Sequence, residues 1–148
     1  MTLRPAGAAD AEAMARVHAR AFPHGWSAHE IGGFMEGHGA YALVAEADDG
    51  QLGGFILCRA IAGEAEVLTL AVDPDHRRLG LGRALVEAAA KLAAPSCEAL
   101  FLEVADDNVA AIGLYQGAGF ARVGVRHDYY EHPEGRRDAI VMRRDLNS

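Results

Sequence analysis

Residues 70–85, LAVDPDHRRLGLGRAL, constrain this chain more than any other run. The aliphatic and β-branched residues from Val67 to Val72 specify a strand that stops at Asp73 and Pro74. A cationic loop with Arg77 and Arg78 follows, then Gly80 and Gly82, then a helix. Its Leu81, Leu85, Ala88 and Leu92 recur at the spacing that lines one helical face. The first turn of a helix directs unpaired N–H groups and partial positive charge outward. Glycine at 80 and 82 removes Cβ atoms that would hold an anion away from those groups. Arg77, Arg78 and Arg83 add full charges and bidentate donors. Such a stretch is built to cradle a phosphate.

Two familiar glycine–phosphate signatures do not account for it. The string G-x-x-x-x-G-K-[ST] is absent. The dinucleotide fingerprint G-x-G-x-x-G wants a small residue where Leu85 stands, and an acidic residue about twenty positions on at a strand tip. Glu103 lies near that distance, but inside a strand-like run. The pattern [QR]-x-x-G-x-[GA] does fit, from Arg77 to Gly82. It is the acyl-CoA pyrophosphate loop of the GNAT family of N-acetyltransferases, which this chain resembles. Residues 102–120, LEVADDNVAAIGLYQGAGF, resemble that family's second cofactor segment, L-E-V-x-x-x-N-x-x-A-x-x-L-Y-x-x-x-G-F. This version is similar to the RimI-type branch, whose members acetylate the N-terminal alanine of a small-subunit ribosomal protein. Asp128, Tyr129, Tyr130 and residues 135–142 resemble the C-terminal stretch of that branch, and Trp26 and Ser27 after Phe22 and Pro23 match its first-helix region more loosely. Ala105 and Asp107 depart from it, standing where Arg and Ser are often found.

The resemblance implies an α/β fold: a mixed central sheet of about six or seven strands, splayed between the fourth and fifth, with about four flanking helices. It also implies acetyl-CoA as cosubstrate, no metal, and direct transfer to an amine in a ternary complex. Backbone N–H from Leu70, Ala71 and Val72 would hold the thioester oxygen. The segment Arg77, Arg78, Leu79, Gly80, Leu81, Gly82 and Arg83 would hold the pyrophosphate, and Asn108 the pantetheine arm. Tyr115 would line the cofactor and protonate the departing sulfur; Glu103 would take the amine proton, directly or through water. Duller roles stand beside these: a tight turn at the glycines, solvated arginines, a plain strand residue at 103, a core aromatic at 115 and a helix cap at 108. An α-amine with a pKa near ~7.8 is partly neutral at physiological pH. A lysine near ~10.4 would cost roughly 4 kcal/mol to deprotonate at pH 7.5, so an α-amine acceptor needs only a modest base.

The rest of the chain is consistent with a soluble enzyme. A length of 148 residues is expected to form a single domain, 1–148, and 51% hydrophobic residues exclude disorder. A net charge of −7 argues against a nucleic-acid partner, and nothing indicates a membrane span. Cys58 and Cys97 lack metal-ligand spacing and are expected as free buried thiols of a cytoplasmic protein. His127 and His132 fit no zinc pattern and are expected on the surface or in the acceptor groove, which Tyr129 and Tyr130 would line. Periodicity and turn residues predict the order β-α-α-β-β-β-α-β-α-β-β, with helices over Asp10 to Ala21 and Asn108 to Gln116, and a closing strand pair over Phe120 to Arg126 and Asp138 to Arg144. The acceptor stays open between a protein N-terminus, such as a ribosomal protein's alanine, and a small amine, polyamine or lysine. Outside that reaction remain a non-catalytic acetyl-CoA sensor and a nucleotide-binding oxidoreductase.

Overall fold

A computed structural model describes residues 1–77, 79–132 and 135–146, with side chains for all of these but 128–132 and 135–137. Its elements follow the predicted order: β1 (Thr2–Pro5), α1 (Ala11–Ala21), α2 (Ala28–Met35), β2 (Ala40–Glu46), β3 (Leu52–Ile61), β4 (Glu64–Val72), α3 (Leu81–Ala93), β5 (Ala99–Ala105), α4 (Val109–Gly117), β6 (Ala121–His132) and β7 (Gly135–Asp145). The strands form one sheet in the order β1-β2-β3-β4-β5-β7-β6. Neighbours pair antiparallel except β4 and β5, which are parallel because α3 carries the chain back between them. Among the described residues no helix is long and apolar enough to cross a membrane.

Helices cover both faces. α3 lies over β2, β3 and β4, burying Leu85, Val86 and Ala89 against Ile56, Leu100 and Leu102. On the other face α1 and α2 bury Met14, Val17 and Ile31 against Val44, Phe55 and Leu57. α2 starts as its sequence requires: Ser27 Oγ accepts the Glu30 N–H at 3.1 Å, and Glu30 accepts the Ser27 N–H at 3.1 Å. Cys58 and Cys97 are buried free thiols, and burial pushes the Cys58 thiol up to about 12.

Some expectations need correction. The buried stripe of α3 runs through Leu81, Leu85, Ala89 and Ala93, and Leu92 is 55% exposed. The alanines let the helix axis lie close on the sheet, which centres the contact on Ala89 and leaves Leu92 at its rim. The final hairpin is longer than predicted, since β6 and β7 keep pairing through residues 130–132 and 135–137. Backbone ladder bonds sustain that pairing even where the sequence is polar.

Consecutive positive φ angles at Ala62 (53°) and Gly63 (83°) give the two-residue β3–β4 turn the I′ form. Alanine carries a Cβ penalty there that asparagine tolerates better. Ala62→Asn should raise unfolding free energy by about 0.5–1 kcal/mol, read as a higher urea midpoint at constant slope. An unmoved midpoint would show that the turn is not strained.

Candidate functional site

The site begins where β4 and β5 part. Glu64 pairs with Ala99, Ala65 with Leu100 and Glu66 with Phe101, and no further pairing joins these strands among the described residues. β4 nevertheless runs on to Val72 and β5 to Ala105, so a wedge opens between them. A bulge assists it: Thr69 pairs with Leu57 and Val67 with Cys58, leaving Leu68 over. The extra residue turns Leu68 toward the α1 face with Thr69, while Leu70 and Val72 face α3. Beyond the strand, the Asp73 N–H bonds the Gly53 carbonyl at 2.8 Å. Strand alternation then directs the backbone polar groups of Ala71 toward β3, and those of Leu70 and Val72 into the wedge.

A cleft of about 920 Å³ passes through this wedge. Its floor is Val67, Leu70 and Val72 of β4 with Leu102, Glu103 and Val104 of β5; α3 contributes Leu81, Gly82 and Arg83, and α4 contributes Ala111, Leu114 and Tyr115. Arg77, Gly80 and Asn108 complete the α3–α4 end, and His18, Phe22 and Trp26 wall the other. Most of the sequence candidates therefore meet in one cavity. Two do not line it. Ala71 turns its methyl into the α1-side core, and Leu79 projects to solvent, 71% exposed. Arg78 lies outside the described residues, as do the side chains of Tyr129, Tyr130 and His132. Asp106 and Asp107 are exposed and are not among the cleft's lining residues.

The two loop glycines answer different demands. Gly80 caps α3 at φ 72°, a backbone state that costs other residues roughly 1–2 kcal/mol, while a Cβ there would meet nothing within 4 Å. Gly82 has ordinary φ, but a Cβ would lie 3.3 Å from Leu114 Cδ2, 3.7 Å from Val72 Cγ2 and 3.9 Å from Leu70 Cδ2, inside the cleft. The first intrahelical bond beyond this turn is Ala84 N–H to Gly80 carbonyl at 3.0 Å, so the N–H groups of Leu81, Gly82 and Arg83 precede any helical acceptor. Asn108 serves as the α4 cap, its Oδ1 accepting the Ala111 N–H at 3.2 Å, and it lines the cleft as well.

Glu103 sits at the opening of the wedge, its carboxylate 3.1 Å from Arg126 Nε of β6. Tyr115 is 8% exposed and rests edge-on against Phe120, with ring centroids 5.7 Å apart. His127 is on the surface, 3.1 Å from Asp138 Oδ2.

Three residues around the site had no signal in the motifs: Arg20, His18 and Thr69. Arg20 of α1 bonds Asp73 Oδ2 at 2.7 Å and Asp75 at 3.1 Å, tying α1 to the loop before α3. Burial works to raise the Asp73 carboxyl, but the Asp75 N–H and Arg20 outweigh it and hold it below the usual range. His18, 3% exposed, accepts the Trp26 N–H on Nδ1 at 2.9 Å, and its Nε2 lies 3.0 Å from Thr69 Oγ1. Phe22 and Trp26 both stack on the ring, with centroids 4.5 and 5.0 Å away. His18 sits on the buried face of α1 with Met14 and Val17, and Thr69 lies inside a strand run.

Burial holds the His18 pKa below the ordinary histidine value, with the Glu30 charge opposing in part. The unfolded chain protonates this ring near ~6.5 and the folded one only at lower pH. Stability from the neutral ring is thus complete above that value and is lost as pH falls through it. The thermal midpoint should drop between about pH 7 and pH 5, and His18→Gln should drop less steeply. Parallel slopes for the two proteins would clear His18 of the effect.

Comparison with known proteins accords with this geometry. The model of the acetyltransferase (GNAT) family matches residues 11–120. The [ribosomal protein bS18]-alanine N-acetyltransferase of Salmonella typhimurium is 38% identical over 125 residues, covering 84% of this chain and 82% of its own. The enzyme of the same name from Escherichia coli K12 is 41% identical over 95 residues; the match spans only 64% of its length. The crystal structure of the Escherichia coli ribosomal-protein-S18-alanine N-acetyltransferase superposes with a TM-score of 0.92 at 31% identity, over 99% of this chain and 94% of that one.

Proposed function

Because the chain belongs to the acetyltransferase (GNAT) family, we propose that it transfers an acetyl group from acetyl-CoA to a protein N-terminal α-amine. The alanine of a ribosomal protein is the first acceptor to test, since the similar enzymes of Salmonella typhimurium and Escherichia coli are named for that reaction. One observation carries the reading: a single cleft holds a glycine-opened helix start at one end and Glu103 with Tyr115 at its centre. The cradle suits the cosubstrate. The site that a Cβ on Gly82 would fill lies inside the cleft, beside three N–H groups of the first turn of α3.

In this reading those N–H groups, with Arg77 and Arg83, hold the pyrophosphate, and Asn108 holds the pantetheine arm. Acetyl-CoA supplies an activated acyl carbon. Leu70 and Val72 offer their backbone N–H groups in the wedge to the thioester oxygen, where growing negative charge is stabilised. Glu103 collects the proton that the amine gives up, directly or through water. Tyr115 donates to the departing sulfur from a half-dry pocket beside Phe120. Both cysteines are buried and neither lines this cleft, which favours direct transfer over an acyl-cysteine route. A cytoplasmic setting follows from such an acceptor.

Thiol release from acetyl-CoA with an alanine-initiated peptide tests the proposal, and release with no tested amine, despite CoA binding, would favour a sensor module instead. Tyr115→Phe should slow turnover at least tenfold with CoA affinity unchanged; equal rates would remove the phenol from the reaction. Gly82→Ala should keep or raise the thermal midpoint, alanine being better in helices by about 1 kcal/mol. It should nevertheless weaken CoA binding, and unchanged affinity in calorimetry would argue against the cradle.

A further inference from the structure

Thr69 stands where β4 bulges into the acceptor end of the cleft, and its hydroxyl is hydrogen-bonded in one direction only. The direction follows from His18. Nδ1 of that ring accepts the Trp26 N–H, so the single proton of the neutral imidazole resides on Nε2. Nε2–H therefore donates to Thr69 Oγ1 across 3.0 Å. With its oxygen engaged this way, the hydroxyl hydrogen of Thr69 has to find an acceptor elsewhere. Among the described residues no protein group receives it. Thr69 lines the cleft, so a carbonyl entering the cleft can supply the acceptor that this hydroxyl lacks.

We infer that Thr69 is a specificity-determining residue, a hydrogen-bond donor to the first carbonyl oxygen of a peptidyl acceptor, and that His18 is the positioning residue that aims it. The inference rests on the acetyl-transfer reading above and deepens it. A peptide N-terminus carries a carbonyl two bonds from its amine nitrogen; polyamines and lysine side chains have none. A donor fixed near the amine's place thus selects α-amines of peptides over those competitors. Every contact around His18 serves this aim. Phe22 and Trp26 clamp the ring plane, Phe55 lies 6.1 Å from its centroid, and Phe34 backs Trp26 at 5.0 Å. Glu30 is the charged group that acts on the ring, and its charge opposes the larger effect of burial. The bulge supplies the remaining element, since a regular strand would have turned Leu68 or Thr69 to the other face.

A double-mutant cycle between protein and acceptor tests the inference. One acceptor is an alanine-initiated peptide; the other replaces its first peptide bond by an (E)-alkene, keeping the shape without the carbonyl. The ratio of their kcat/KM values is independent of the fraction of protein that is folded. Thr69→Val should lower the ratio about tenfold, the worth of one well-placed hydrogen bond, and Thr69→Ser should restore it. His18→Phe, which keeps a stacked ring but no donor, should lower the ratio about threefold with CoA affinity unchanged. An unaltered ratio in Thr69→Val, with the parent protein active, overturns this inference alone. No transfer by the parent to either acceptor overturns it together with the reading on which it rests.

Discussion

A parallel strand pair that separates after Glu66 and Phe101 leaves backbone groups of two central strands facing a cavity instead of each other. A buried polar group without a partner costs about 1–3 kcal/mol, and a fold accepts several only where water or a ligand satisfies them. Two features hold the strands apart. The bulge at Leu68 adds a residue to β4, which bends a strand, and Leu70 and Val72 pack into the same cluster as Leu81, Leu85 and Leu114 of α3 and α4. The helix start at Gly80 is then aimed along the opening because α3 must return from the end of β4 to the start of β5. Cleft, anion cradle and sheet topology are consequences of the same break.

Much of this was legible in residues 70–85 and 102–120, because main-chain recognition demands particular backbone conformations and those demand glycine. Gly80 at positive φ and Gly82 against Leu114 leave a pattern that survives in one sequence. The acceptor end left no such trace. His18 has the spacing of a core residue, and its second role depends on a 3.0 Å approach to Thr69, fifty-one positions away. The bulge was equally silent, since an extra aliphatic residue in an aliphatic strand changes no periodic signal. Leu92 was misplaced for a related reason. The spacing of leucines finds a helical face, but the alanines decided how that face settled on the sheet.

The two ends of the cleft are therefore made differently, and α1 joins them. Its last turn holds Arg20, which grips Asp73 at the start of the loop that leads to α3. Two residues earlier, His18 fixes Trp26 and Thr69 at the acceptor wall. Asp73 also caps the Pro74–His76 turn, its Oδ1 accepting the Asp75 N–H at 2.9 Å, so α1 cannot shift without loosening the path toward Gly80.

This division has a consequence for what can vary. N–H groups of a helix start are identical whatever side chains surround them, so on the proposed reading the glycine-lined end tolerates change at the exposed Leu79 as long as the backbone holds its course. The acceptor end has no such freedom. Its wall is a stack of rings from Phe22 to Phe34, closed on one oriented hydroxyl, and each member sets the plane of the next. On that reading, replacing any one of them alters that wall and leaves the helix start at Gly80 untouched. On the proposed reading, cosubstrate use is a property of the fold, and choice of acceptor would be a property of side chains around His18 and Thr69 that only the folded chain brings together.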